Sequence, residues 1–293
     1  MKIIDGVKAS AAYREKIKAE VAEIIDSGKR APHLAAVLVG DDPASQTYVA
    51  NKEKACRSVG ITSTLYRLPA DTSQEELLKV IRFINQDEEI DGVIVQLPLP
   101  EAIHKDIVLQ SIDPAKDVDG FHPVNVGKMV AGLPAYLPAT PYGILMLFEH
   151  FNIKTEGKNC VVLGRSNIVG TPMSLLLSRK ANPGNATVTT LHSYSVNTAE
   201  ILSAADIIIA AIGKPLFVKA DWVKKGAVVV DVGIHRVPSE TTQSGFKLIG
   251  DVDFEAVSSK ASWITPVPGG VGPMTITALL MNTLKAFKNE IYS

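Results

Sequence analysis

Residues 7–30 place apolar side chains at helical spacing (Val7, Ala11, Ile17, Val21, Ile24), and the pattern predicts a helix capped near Gly28. "HLAAVLVG" follows as a buried strand. Asp42 then stands as an N-cap, with Pro43 at the first helical position, for a helix that stops at Gly60. "ITSTLYRL" alternates as a strand should, and Ser73 with Glu76 has the spacing of a capping box opening the next helix. "DGVIVQLPLP" is a short apolar strand halted by prolines. Strands separated by helices of this length predict a parallel sheet with helices on both faces. Between about residues 118 and 137 the chain is rich in Gly and Pro and loses periodicity, which suggests a domain boundary.

A new helix, "YGILMLFEHF", is expected after Thr140 and Pro141. The alternation then resumes: "NCVVLG", a helix from Ile168, "ATVTTLH", a short helix over 197–203, "ADIIIAAIG", "GAVVVDVG" and "SWIT". "PVPGGVGPMT" leads into a closing helix, "ITALLMNTLKAFKN". "VPSETTQSGFKL" reads as an extended, poorly patterned loop. The fold class is α/β with two domains, residues 1–137 and 138–271, followed by the closing helix over 272–293. No fixed-period repeat is visible, which excludes solenoids and propellers.

Composition narrows the function. The 293 residues, 46% hydrophobic and 21% charged, form a globular chain long enough for two domains. A formal net charge of -1 gives no pull toward nucleic acid or a membrane surface, so a small-molecule partner is expected. No apolar stretch reaches the ~18 residues that span a bilayer. The first residues lack the apolar run of a signal peptide, and Asp5 argues against a transit peptide. Cys56 and Cys160 make neither a metal cluster nor a disulfide framework, so no metal is expected and a reduced, cytoplasmic setting fits.

Several stretches carry candidate chemistry. Tyr48 and Lys52 lie one turn apart on a predicted helix, a spacing that by itself most often marks ordinary helix surface. "VVLGRSNIVGTP" is a strand, a glycine turn and a helix start, suited to phosphate at a helix N-terminus. It departs from the usual dinucleotide fingerprint, because Ser166 holds the third position after Gly164 and Gly170 the seventh. The next strand ends in "LHSYS", with no carboxylate for a ribose 2′-hydroxyl. Arg165, His192 and Ser193 could instead receive a 2′-phosphate, which favours NADP over NAD. Gln96 closes a strand where open α/β sheets place their ligands. Asp117 and Asp119 precede a glycine turn, and turn chemistry suffices for Asp117. "TPVPGGVGPMT" is either a stiff helix entry or a fixed surface for a flat ligand.

Together, "SQTYVANKEKA", "VQLPLP", "KDVDGF", "GRSNIVGTP" and "TPVPGGVGPMT", in this order and spacing, closely resemble the bifunctional methylenetetrahydrofolate dehydrogenase/methenyltetrahydrofolate cyclohydrolase family, over nearly the whole chain. The resemblance implies an N-terminal folate-binding α/β domain to which the C-terminal helix returns, and a Rossmann-like NADP-binding domain. It implies NADP-dependent oxidation of 5,10-methylenetetrahydrofolate and hydrolysis of the methenyl product to 10-formyltetrahydrofolate, in one-carbon metabolism and purine biosynthesis. Tetrahydrofolate derivatives would be the partners, and a homodimer the assembly. The catalytic set falls on Lys52, Tyr48, Gln96 and Asp119. The substrate site adds Val95, Leu97, Pro268, Gly269 and Gly270. The cofactor site falls on Gly164, Arg165, Ser166, Ile168, His192, Ser193 and Ile234.

In this scheme Lys52 is the base for hydrolysis, Gln96 directs its amine, Tyr48 packs on the pterin, and Asp119 accepts the pterin's N–H groups. A free lysine, with a pKa ≈ 10.4, is almost all protonated at pH 7, so base catalysis requires burial or a cationic substrate beside it. The rival readings are a monofunctional or NAD-preferring methylenetetrahydrofolate dehydrogenase, and a nucleotide-sensing binding protein without turnover.

Overall fold

The computed structural model describes residues 1–240, 242 and 245–292. The chain opens with β1 (Lys2–Ile3) and α1 (Gly6–Asp26), then alternates through β2 (His33–Val39), α2 (Pro43–Ser58), β3 (Thr62–Leu68), α3 (Gln74–Gln86) and β4 (Gly92–Val95). Three helices follow: α4 (Lys105–Ser111), α5 (Pro123–Val130) and α6 (Ala139–His150). Alternation resumes with β5 (Asn159–Leu163), α7 (Gly170–Ser178), β6 (Thr187–Leu191), α8 (Thr198–Ser203), β7 (Ile207–Ala210) and β8 (Val228–Asp231). The chain ends with β9 (His235–Pro238), β10 (Phe246–Ile249), α9 (Phe254–Ser258), β11 (Trp263–Ile264) and α10 (Val271–Phe287).

Two compact units result: Ala11–Ala139 with Ile276–Ser293, and Met1–Ser10 with Thr140–Thr275. In the first, β2 lies between β3 and β4, all parallel. Its central strand is buried on both faces, as its unbroken apolar run requires. Leu34, Ala36 and Leu38 pack with Ile17 and Val21 of α1 and with Leu279, Leu280 and Leu284 of α10. Ala35, Val37 and Val39 face Leu77, Ile81 and Ile84 of α3. The closing helix thus completes the core of the unit built on Ala11–Ala139.

The other unit holds a parallel six-stranded sheet in the order β1-β11-β8-β7-β5-β6. Its strand order reverses at β5, as that of the smaller sheet does at β2, and such switch points are where open α/β sheets bind ligands.

The start signals act locally as their chemistry dictates. Asp42 Oδ2 accepts the Ser45 N–H at 2.7 Å, and the Ser73–Glu76 capping box is complete. Several expectations are corrected. Residues 1–10 group with the second unit, because β1 pairs with β11. Val7 is 58% exposed, and Ala11 is exposed too; Gly6, Ala9 and Ser10 are the buried positions in the first turns of α1 instead. The stretch without periodicity contains α5, started by Pro123 and by His122 Nδ1 accepting the Val124 N–H at 3.1 Å. Helix α7 begins at Gly170 rather than Ile168, and α10 begins at Val271, inside the Pro/Gly run. The expected loop "VPSETTQSGFKL" instead holds parts of both strands of a hairpin in which β9 pairs antiparallel with β10; residues 241, 243 and 244 of that stretch lie outside the described residues.

Candidate functional site

In the first unit the candidate residues gather at the carboxyl edge of the sheet. Gly40 ends β2 with φ +85°, which favours glycine, and α2 starts at once behind its Asp–Pro cap. Val49, fully buried, anchors α2 in the core. Tyr48 is 44% exposed and Lys52 half-buried one turn further on. Lys52 Nζ donates to Gln96 Oε1 at 3.2 Å, joining positions 44 residues apart. Gln96 is itself fixed, since its backbone N–H donates to Val37 O at 2.9 Å and its Nε2 to Leu97 O. That leaves its carbonyl oxygen for the lysine. Val95 differs from the others, because its side chain belongs to the core layer against α3 and only Gln96 and Leu97 stand clear of it.

Asp119 is half-buried, and burial raises its carboxyl above the usual range while the charge of Lys52 opposes the rise. The two groups therefore sense each other's charge. The turn that carries Asp119 is held from several sides. Gly120 has φ +71°, and a Cβ there would lie 2.6 Å from the Leu137 carbonyl carbon, so only glycine fits. Asp117 is buried and accepts from Asn125 Nδ2 (2.9 Å), His122 N (2.8 Å) and Phe121 N (3.3 Å). Burial nonetheless pushes its carboxyl up to about 7. This is the structural role expected of it.

Sequence reading did not single out Asn282 or Tyr292. Asn282, buried on α10, donates to both Val118 O (2.9 Å) and Leu137 O (3.0 Å), and Tyr292 donates to Asn125 Oδ1 at 2.7 Å. Their partners lie over a hundred positions away, and no local motif marks them.

In the second unit the glycine turn closes β5 at the switch point. Gly164 has φ +126°, and an added Cβ would sit 2.2 Å from Ala211 O; one on Gly170 would sit 2.2 Å from Gly164 O. The backbone is thus packed against itself where a phosphate would approach. Ser166 Oγ accepts the Val169 N–H at 3.1 Å at the start of α7. Arg165 and Ser193 are exposed, and so is Ile168 at the turn. The Arg165 guanidinium lies 5.9 Å from the Tyr194 ring centre, and His192 Nδ1 accepts the Tyr194 N–H at 3.2 Å. Arg165, His192 and Ser193 therefore occupy neighbouring strand ends, since Leu163 and Leu191 are paired in register. Ile234 is exposed just after β8.

Pro268, Gly269 and Gly270 belong to this second unit, apart from Lys52, Gln96 and Asp119. Gly6 N donates to Gly269 O at 2.9 Å, so the first turn of α1 seats directly on them. Two buried carboxylates, Asp231 and Asp251, also lie at this sheet's carboxyl edge and were not anticipated. Burial, opposed by backbone N–H donors, pushes the Asp231 carboxyl up to about 6. Cys56 and Cys160 are buried and free, and burial pushes both thiols up to about 12, so neither is poised as a nucleophile. Among the described residues no group of three or more His, Cys, Asp or Glu is placed to hold a metal ion, and no helix is long and apolar enough to cross a membrane.

A lysine–amide–carboxylate cluster on one parallel sheet, and a dinucleotide-type turn at the switch point of another, define a two-unit α/β protein of the nucleotide-dependent class. Residues 4–119 match the tetrahydrofolate dehydrogenase/cyclohydrolase catalytic domain, and residues 138–291 match the NAD(P)-binding domain of the same name. The chain belongs to the tetrahydrofolate dehydrogenase/cyclohydrolase family. It is 57% identical to the bifunctional protein FolD of Flavobacterium psychrophilum, over 98% of this chain and 97% of that one. It is also 57% identical to the bifunctional protein FolD of Bacteroides fragilis, over the full length of both. Among solved structures, the FolD methylenetetrahydrofolate dehydrogenase/cyclohydrolase of Campylobacter jejuni superposes with a TM-score of 0.93 at 48% identity, covering 99% of each chain. The Trypanosoma brucei enzyme, solved with NADP cofactor and an inhibitor, gives 0.92 at 38% identity over 99% and 98% of the two chains.

Proposed function

We propose that this chain oxidises 5,10-methylenetetrahydrofolate with NADP and hydrolyses the resulting methenyl group to 10-formyltetrahydrofolate. The observation that carries the reading is the Lys52–Gln96 hydrogen bond beside Asp119, in a chain of this family. Water attacks the methenyl carbon, and Lys52 accepts the proton it loses. The resulting carbinolamine then gives up its hydroxyl proton as the carbon–N5 bond breaks and N5 takes up a proton, which leaves the 10-formyl group. Gln96, locked by its own backbone bonds, aims the amine. Asp119 accepts N–H donors of the pterin, and its half-buried site makes those bonds strong. Tyr48, exposed one turn before Lys52, covers the ring. Leu97 adds apolar surface for the folate.

The second unit fits NADP. The crowded glycines Gly164 and Gly170 leave backbone where a phosphate can come close, and no carboxylate ends β6. Arg165, His192 and Ser193 are assigned to the 2′-phosphate, Ser166 and Ile168 to the turn, and Ile234 to the wall beyond it. When bound, NADP supplies the hydride acceptor; the protein contributes placement. A homodimer in a reduced cytoplasm belongs to the same reading.

The test is direct. Protein mixed with methylenetetrahydrofolate and NADP is expected to form reduced nicotinamide, and protein given methenyltetrahydrofolate alone is expected to hydrolyse it. Absence of both reactions would overturn the assignment. Hydride transfer without hydrolysis, or with NAD preferred, would establish the monofunctional or NAD-preferring alternative.

A further inference from the structure

Asp251 is completely buried and plays no part in the scheme above. Its Oδ2 accepts two backbone N–H groups, Ile212 at 2.8 Å and Gly213 at 2.9 Å. Its Oδ1 lies 2.7 Å from His235 Nε2. Gly233 sits flush against the same carboxyl, where a Cβ would come within 2.4 Å of Oδ1. Asp231 supports this arrangement from behind, accepting the N–H groups of Gly233 (3.0 Å), Asp251 (2.9 Å) and Val252 (2.9 Å). One carboxylate therefore ties the segment after β7 to the first residue of β9.

Both tied segments face the cofactor turn in the order of the sheet. Ala211, at the end of β7, touches Gly164 so closely that a Cβ there would meet its carbonyl oxygen at 2.2 Å. Ile234, in the short link from β8 to β9, is apolar yet 46% exposed, and it stands between Gly233, which bonds Asp231 and packs on Asp251, and His235, which bonds Asp251. The strand order separates the two halves of a dinucleotide. With the pyrophosphate at β5, the β6 side takes the 2′-phosphate end through His192 and Ser193, so β7 and β8 lie on the nicotinamide side.

We propose that His235 and Asp251 are a positioning pair that holds Ile234 and the Ala211–Gly213 backbone in place for the nicotinamide, so that hydride transfer depends on the pair and methenyl hydrolysis does not. This rests on the reading of Ile234 as a cofactor contact. The imidazole donates from Nε2 to a carboxylate whose other oxygen is already committed to two amides, so the ring has one stable orientation. A hydrogen bond to a buried charge is the strong kind, and its loss frees the short link on which Ile234 is mounted.

The test compares three variants in the full-length protein. His235→Phe keeps volume and removes the donor; His235→Gln keeps a donor; Ile234→Ala removes the contact. His235→Phe is expected to cost roughly 10-fold or more in dehydrogenase kcat/KM for NADP, the scale of one charge-assisted hydrogen bond. Methenyl hydrolysis assayed without NADP should stay within about twofold, because it makes no use of this edge. His235→Gln should recover most of the loss. Unchanged NADP kinetics in His235→Phe would overturn the proposal, as would a parallel fall in both activities together with the melting temperature. An Ile234→Ala variant with normal NADP kinetics would instead remove the contact on which the proposal rests. A wild-type protein inactive in both assays would mark failure of the functional reading itself.

Discussion

The two sheets of this protein solve the same problem with different materials. At the edge of the three-stranded sheet, function is assigned to side chains: an amine on α2, an amide after β4 and a carboxylate on a glycine turn. At the edge of the six-stranded sheet it is assigned mostly to backbone, packed so tightly at Gly164 and Gly170 that a single methyl group has no room. A side-chain site tolerates neighbours of many kinds, provided the reactive groups meet. A backbone site tolerates almost no change of shape but is indifferent to most side chains around it. The first should therefore fail chemically when altered, and the second sterically.

The largest effect is expected at the steric site. Gly164→Ala forces a Cβ against Ala211 O at a φ that only glycine adopts easily, and should weaken NADP by about 4 kcal/mol, roughly a thousandfold. Titration with NADP reads the loss, while methenyl hydrolysis should persist; equal damage to both activities would erase the contrast between the sheets.

The next effect sharpens it through pH. With its folded carboxyl raised to about 7, Asp117 keeps a proton that the unfolded chain has already lost. Its contribution to stability is full below about pH 4 and disappears as pH rises through about 7, a change on the order of 4 kcal/mol. Urea unfolding of wild type and Asp117→Asn across that window should show the wild type losing stability relative to the variant. A constant difference between them would refute the assignment.

Smaller still, Asp119→Ala should raise the folate KM about 30-fold and leave NADP affinity alone, the cost of two lost hydrogen bonds from pterin donors. Separate titrations of the two ligands decide it. Arg165→Ala should weaken NADP about 10-fold more than NAD. Equal losses for the two cofactors would take Arg165 away from the 2′-phosphate.

Much of the fold could be read locally. The Asp42–Pro43 start, the Ser73–Glu76 box and the apolar runs of β2, β5, β7 and β8 signal through neighbours a few residues away, and each forms as its chemistry requires. Helix α5 and the β9–β10 hairpin escaped notice because their signals are weak. The first is eight residues long inside a Gly/Pro-rich stretch, and the second is built from two four-residue strands, exposed or half-buried throughout and separated by a polar stretch. The lysine site was legible as a set of motifs, but not the bond from Lys52 to Gln96, which exists only because β2 and β4 are paired. The burial of the Val95 side chain in the core against α3 was hidden for the same reason: pairing decides which side of a strand is core. Asp251, Asp231 and Asn282 were invisible, since their partners are backbone groups distant in sequence and no residue type announces them.

The central claim is that proton transfer in the hydrolysis is done by the amine on α2, separately from the cofactor turn. Lys52→Met tests it most directly, with folding checked by circular dichroism and hydrolysis of methenyltetrahydrofolate followed without NADP. The account predicts a fall of roughly a hundredfold to ten-thousandfold, the range for loss of a general base, with the fold and some NADP reduction retained. Hydrolysis at the wild-type rate in a folded Lys52→Met protein would contradict it.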